Sequence, residues 1–274
     1  MTERVPLPDF LIVGAMKAGT TTLYRDLSLH PDIHMPAEKE PETLVGFDGD
    51  LARIRRDYAS LFRFAPAGSV RGEASTAYTK RPLYEGVAAR AREVCGPALR
   101  IIYLRRDPVK RIVSHYKHAV GLGQTDLPFD AAVRTDPLYV SISRYDWQIS
   151  PWIEAFGEDA VLQLEFETYV RDRQGVTKRA CAHLGVDPER LPSVDADAAF
   201  NASDYKPVAR AGLARAIVES RLYQRLAKPL LPEALRERAR QTLPKAEPVE
   251  VVVTDETRRL LNQSLIQQDQ LDVA

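Results

Sequence analysis

Residues 10–30, FLIVGAMKAGTTTLYRDLSLH, constrain the fold more than any other stretch of the chain. Phe10 to Val13 form a short continuous apolar run rich in branched side chains, as a strand buried on both faces does. Gly14 to Thr22 then read as a loop. From Thr21 onward Leu23 and Leu27 recur at helical spacing, until His30-Pro31 stops the pattern. Strand, glycine-containing loop and helix, in that order, open a parallel α/β domain. In such a domain the loop is where a phosphate sits.

The rest of the chain repeats the alternation. Val70 to Glu73, Leu99 to Leu104 and Ala160 to Leu164 read as further strands, the last running on into Glu165-Phe166-Glu167. Residues 33–44 are Pro-rich and charged, a loop with room for one short strand. Helical spacing covers Asp50–Phe64, Leu83–Val94, Val109–Val120, Tyr145–Phe156 (despite Pro151), Val176–Leu184, Ala209–Leu226, Leu235–Leu243 and Glu256–Gln268. A short helix near Phe129 fits inside the loop from Gly121 to Pro137. Alternating strands and helices indicate a mainly parallel sheet with helices on both faces. Residues 1–274 read as one domain, with 190–274 a C-terminal region of helices and loops that covers the active site.

Composition excludes several classes. Lys+Arg and Asp+Glu are both 38, so the formal net charge is zero and a general nucleic-acid binder is not expected. Cys95 and Cys181 are the only two cysteines, which excludes a disulfide scaffold and a four-cysteine zinc site; both read as buried thiols. The five histidines complete no metal pattern, so no metal is expected. The N-terminus lacks a basic head followed by an apolar run, and FLIVGAM is too short to span a bilayer. The expected compartment is the cytoplasm, without stable membrane insertion.

Two loops carry anion chemistry. In the first, Lys17-Ala18-Gly19-Thr20-Thr21-Thr22, Gly19 permits a tight turn. The amides of the next helix can then point at phosphate oxygens, helped by three hydroxyls and the Lys17 charge. This is not the Walker pattern, in which lysine follows the last glycine; here it precedes Gly19 by two. In the second, Arg106 offers a bidentate fork after the strand LRIIYL, and Ser114 stands two helical turns further on, with Arg111 and His115 near. Two such sites suggest a ligand with phosphates at both ends of a nucleoside.

These residues resemble the sulfotransferases that use 3'-phosphoadenosine 5'-phosphosulfate (PAPS). KAGTTTL at 17–23 resembles the family's 5'-phosphosulfate loop, and RRDPVKRIVSHY at 105–116 its 3'-phosphate element. LSLHPDI at 27–33, KEPETL at 39–44 and GEASTAY at 72–78 are closest to the branch of heparan-sulfate and bacterial carbohydrate-type enzymes. The likeness covers roughly residues 10–170. It implies a P-loop-like three-layer α/β sandwich and direct in-line sulfonate transfer to a hydroxyl of a small-molecule, sugar or lipid acceptor. The product is adenosine 3',5'-bisphosphate (PAP), and no metal takes part. It further implies that Lys17 contacts the sulfonate and bridging oxygen, that Ala18, Gly19, Thr20, Thr21 and Thr22 cradle the 5'-phosphate, and that Arg106 and Ser114 bind the 3'-phosphate. Glu40 matches the family's base; Glu73, His34 and His115 are the rival candidates. The chain departs from the family where Glu42 takes a histidine position, Thr76 a proline position and Asp107 an asparagine position.

Lys206 and Arg210 lie in a late basic stretch of the kind that closes on the 3'-phosphate. Two other functions share the fold: a P-loop kinase using ATP on a small molecule, and a non-catalytic nucleotide-binding protein.

Overall fold

The computed structural model describes residues 5–46, 50–194 and 250–271. The helices expected over 209–226 and 235–243, with Lys206 and Arg210, lie outside the described residues.

Five strands form one parallel sheet: β1 (Phe10–Gly14), β2 (Ile33–His34), β3 (Val70–Ala74), β4 (Arg100–Arg105) and β5 (Val161–Glu165), in the order β2-β3-β1-β4-β5. Every residue of β1 is buried, which explains its unbroken apolar run: both faces of the central strand are covered. Gly72 sits beside it because a Cβ there would come within 2.0 Å of the Phe10 ring.

The helices are α1 (Thr20–Leu27), α2 (Leu51–Leu61), α3 (Val87–Cys95), α4 (Pro108–Gly121), α5 (Phe129–Thr135), α6 (Leu138–Ser141), α7 (Tyr145–Phe156), α8 (Phe166–Arg171), α9 (Arg173–His183) and α10 (Asp255–Leu271). One group, α2, α3 and α7, packs together, and another joins α1, α8 and α9. The second group is clamped by a buried ion pair in which the Arg173 guanidinium donates to both oxygens of Asp26, at 2.7 and 2.6 Å; the Tyr169 hydroxyl donates to the same carboxylate.

Pro151 is tolerated within α7 because the carbonyl it leaves unbonded, that of Trp147, accepts instead from Arg81 Nη1 at 2.8 Å and Ser150 Oγ at 3.1 Å. Trp152 and Phe156, four apart on the same helix, stack with ring centroids 6.0 Å apart. Two short helices depart from the sequence reading. Phe166–Arg171 turns into α8 directly at the end of β5, where the sequence suggested that the strand continued. Leu138–Ser141 forms α6 straight after Pro137. Cys181 is buried as expected, whereas Cys95 is only partly so.

A satellite core lies beside the main one. Val109, Ile112, Tyr116 and Ala119 of α4 pack with Phe129 and Ala132 of α5, Tyr139 and Val140 of α6, and Leu261 of α10. Thr257 anchors α10 further by donating to Asp130 at 2.8 Å. Among the described residues no helix is long and apolar enough to cross a membrane.

Candidate active site

The chain leaves β1 toward β2 and β3 on one side, and leaves β4 toward β5 on the other. The loops after β1 and β4 therefore diverge from neighbouring strands and open a crevice at their carboxyl ends, the usual ligand position in an open parallel sheet. A cleft of about 1210 Å³ occupies this place.

The β1 loop lies along one wall. The amide of Ala15 is tied to the carbonyl of Leu104 at 2.8 Å, which fixes the loop against β4. Lys17 is in the left-handed region at φ 69°, and Gly19 caps α1 at φ 94°. A Cβ on Gly19 would stand 2.8 Å from the Phe166 ring. No side chain caps α1, and the Thr22 amide turns back to the Gly19 carbonyl at 3.0 Å, so the Thr20 and Thr21 amides are the ones left for a ligand, whereas Asp107 closes the start of α4 by accepting from Lys110 N at 2.8 Å. Thr20, Thr21 and Thr22 all line the cleft. Ala18 is buried behind it.

The β4 loop forms the facing wall. Arg106 lies across the ring of Phe166 at 4.6 Å and donates from Nη1 to the carbonyl of Lys17 at 3.0 Å, joining the two loops. Its Nε is buried and has no partner among the described residues, which leaves a donor for an anion. Burial lowers the pKa of this guanidinium. Ser114, with Lys110 and Lys117 on the same face of α4, continues the wall.

The rival base candidates divide. Glu40 and Glu42 line the cleft; Glu73, His34 and His115 do not. Glu73 is fully buried beneath it, accepting from Tyr58 at 3.0 Å, from Ser75 at 3.0 Å and from the Tyr78 hydroxyl. Burial pushes its carboxyl up to about 7, with the three hydroxyls pulling the other way. His34 packs edge-on against Phe62 at 6.3 Å. His115 packs against Tyr139 at 4.5 Å, and burial together with the Arg111 charge pushes it down to about 2, so the ring is neutral. Arg111 is itself fully buried. It donates to Ser143 and to the carbonyl of Tyr139, and so braces α6 and the turn after it rather than reaching the cleft.

Glu40 and Glu42 share an unusual backbone. They and Lys17 are the non-glycine residues at positive φ among the described residues, at 58°, 53° and 69°, and all three line the cleft. Glu40 is held by Lys39 and by the Thr76 amide and hydroxyl at 2.6 and 3.1 Å. Burial raises the proton affinity of Glu42; Lys80 opposes this and Glu40 adds to it. The neighbouring carboxylate thus works in the same direction as burial on Glu42.

Arg25, Lys39, Thr76, Lys80, Phe166 and Arg258 also line the cleft and were not picked out in the sequence. Lys110 and Lys117 were legible as neighbours of Ser114 at helical spacing. Lys80 and Arg258 arrive through tertiary contacts that no local pattern records.

The family model described as "Sulfotransferase domain" matches residues 7–224. The chain belongs to the sulfotransferase family. A sulfotransferase structure from Alicyclobacillus acidocaldarius is 30% identical, with a TM-score of 0.60, covering 71% of this chain and 87% of that one. The sulfotransferase domain from the curacin biosynthetic pathway, at 18% identity and a TM-score of 0.51, shares the fold over 94% of this chain and 97% of its own. Heparan sulfate glucosamine 3-O-sulfotransferase 3B1 of Mus musculus is 25% identical over 191 residues, 66% of this sulfotransferase chain and 46% of the mouse protein. The Homo sapiens 3-O-sulfotransferase 6 is 27% identical over 195 residues, covering 65% and 52%. The chain spans about half the length of these curated relatives. The P-loop-like α/β fold expected from the sequence is the fold observed.

Proposed function

We propose that this sulfotransferase moves a sulfonate group from PAPS to a hydroxyl by direct in-line displacement. The observation that carries the reading is the pair of anion-binding loops joined by the Arg106–Lys17 hydrogen bond. The uncapped start of α1 and the threonines suit a 5'-phosphosulfate. The orphan Nε of Arg106, with Ser114, suits a 3'-phosphate.

Each residue's part follows from its place. The α1 amides hold the 5'-phosphate without reorganising as charge develops. Lys17, at the mouth of that loop, balances negative charge growing on the bridging oxygen. A carboxylate of the 39–42 loop receives the acceptor's proton. The chain works as a single domain whose C-terminal region covers the cleft, a reading supported by Val251, Val253 and Arg258 at its rim.

Charge narrows the acceptor. Eight Lys and Arg side chains line the cleft against three Asp and Glu, in a chain with no net charge. The donor brings about four negative charges, which offset most of that excess. The acceptor is then neutral or weakly anionic. The mouse and human relatives are named for 3-O transfer to heparan sulfate glucosamine, which favours a sugar hydroxyl over an amine.

Calorimetry with PAP, ADP and ATP, each with and without magnesium, tests the donor. The expected result is tight, magnesium-independent binding of the 3',5'-bisphosphate. A preference for ATP with magnesium would make the chain a kinase, and binding of none of them would make it non-catalytic.

A further inference from the structure

We infer that Glu42, rather than Glu40, takes the acceptor's proton in this cleft, an inference that rests on the sulfotransfer reading above. Both carboxylates line the cleft, but their surroundings differ. One oxygen of Glu40 is paired with Lys39, and the other accepts twice from Thr76, at 2.6 and 3.1 Å. An ionised carboxylate has about four acceptor positions, and three are filled, one of them by a cation. With both oxygens already accepting, Glu40 has little room left to take a substrate hydroxyl. Glu40 in this setting anchors its loop to the turn after β3; its amide, bonded to the Ala74 carbonyl at 3.0 Å, does the same.

Glu42 is fixed by its backbone and left open at its carboxylate. Its amide donates to Ser75 Oγ at 3.0 Å, and its carbonyl accepts from Val45 N at 3.0 Å. Its side chain makes no hydrogen bond or ion pair among the described residues. Ser75 accepts from Glu42 while its own hydroxyl proton goes to buried Glu73 at 3.0 Å, which fixes the direction of the hydroxyl. Glu73 is therefore a positioning residue: it orients Ser75, and Ser75 sets the backbone of Glu42. The left-handed φ of 53° is held in place by this chain of contacts. The charged groups acting on Glu42 are Glu40, from its own loop, and Lys80, from beyond β3; the net direction, led by burial, is toward tighter proton binding. That direction suits a general base.

The step balances without a further reactant. The acceptor O–H bond breaks and its proton passes to a Glu42 oxygen, while the acceptor oxygen forms a bond to sulfur. The bond from sulfur to the bridging oxygen breaks, and its electron pair stays on the 5'-phosphate of the departing bisphosphate. Glu42 then returns the proton to solvent.

The experiment compares E42Q, E40Q and wild type with PAPS and two acceptors, N-acetylglucosamine and p-nitrophenol, at a mildly alkaline pH where the phenol is already ionised. A phenolate has no proton to give up, so loss of a base spares it. We expect E42Q to lower sugar transfer about 100-fold or more and phenol transfer less than about tenfold. E40Q, which loosens the loop, should lower both alike. Retained sugar transfer in E42Q, or equal loss with both acceptors, overturns the inference. Should wild type use neither acceptor, carboxyl-labelled glutamate followed by carbon-13 NMR with PAP bound decides the matter. Glu42 titrating above Glu40 supports the assignment, and the opposite order overturns it. Failure of wild type to bind PAP at all overturns the sulfotransfer reading itself, and is distinguished by that calorimetry.

Discussion

Glutamine at position 73 isolates the energetics of the buried network beneath the cleft. Glu73 is 0% exposed and titrates at about 7, against roughly 4.3 for a solvated glutamate. Burial is the largest cause, and the Glu40 charge adds to it; the hydroxyls of Tyr78, Tyr58 and Ser75 oppose it. Between the two pKa values the folded protein holds a proton that the unfolded chain has released. Stability must then fall as pH rises through this window, being complete below about pH 4.3 and lost by about pH 7. A gap of about 2.5 units at 1.36 kcal/mol each gives a loss of about 3 kcal/mol. In E73Q this contribution is absent. Its side-chain carbonyl can accept from the tyrosines, and its amide can donate to Ser75 Oγ, whose proton turns away. Urea denaturation at pH steps from 4.5 to 8 measures the difference between the two proteins. The expected result is a gap in unfolding free energy that shifts by about 3 kcal/mol in favour of E73Q as pH rises. Parallel curves would refute the reasoning, because they would mean that the three hydroxyls outweigh burial and Glu73 is ionised throughout.

Three further outcomes follow from the same structure. G19A places a methyl group 2.8 Å from the Phe166 ring at φ 94°, so PAP affinity measured by calorimetry should drop at least about tenfold, with a strain of about 1–3 kcal/mol. R106A removes the orphan donor and the link to Lys17, and should weaken PAP binding about 10- to 100-fold, as charge-assisted hydrogen bonds of 1.5–3 kcal/mol imply; unchanged affinity would place the 3'-phosphate elsewhere. R173A leaves Asp26 buried and unpaired, and should cost about 3–5 kcal/mol in urea denaturation; a loss under about 1 kcal/mol would mean that water reaches the carboxylate.

The strand-loop-helix opening was legible because every constraint on it is local. An apolar run buried on both faces, a glycine at positive φ and three hydroxyls at a helix start all sit within residues 10–22. The same holds for Arg106 and Ser114, one just before the start of α4 and the other within it. Residues 39–42 were legible as a charged loop whose Glu40 matches the family's base, but their backbone was not. Their left-handed backbone depends on Ala74, Ser75 and Thr76, more than thirty positions away. Nothing in AEKEPE distinguishes a carboxylate wrapped in donors from one left open. Glu73 presented itself as a strand-end acid on the active side; that it points into a pocket of Tyr58, Tyr78 and Ser75 depends on α2 packing, which the sequence does not register. Arg111 and His115 were placed on the right helix but on the wrong side of it. Their neighbours Tyr139 and Ser143 come from residues 138–144, to which the sequence reading assigned no element.

The two faces of α4 show why the satellite core matters to the cleft. One face presents Lys110, Ser114 and Lys117 to the ligand; the other buries Val109, Ile112, Tyr116 and Ala119 against α5, α6 and α10. The start of the helix is fixed by the Asp107 cap and Pro108, but its rotation about its own axis is not. A rotation of one residue, about 100° on an α-helix, would carry Ser114 out of the cleft without disturbing the cap. The apolar face prevents this, because Ile112 and Tyr116 are four apart and seat in one layer against Tyr139. Leu261 of α10 joins the same cluster, and the segment before α10 brings Val251 and Val253 to the cleft. The C-terminal segment therefore bears on the α4 wall of the cleft twice: directly at the cleft lining, and indirectly through the packing that sets the rotation of α4. The family match ends at residue 224, yet the seating of α4 reaches Leu261.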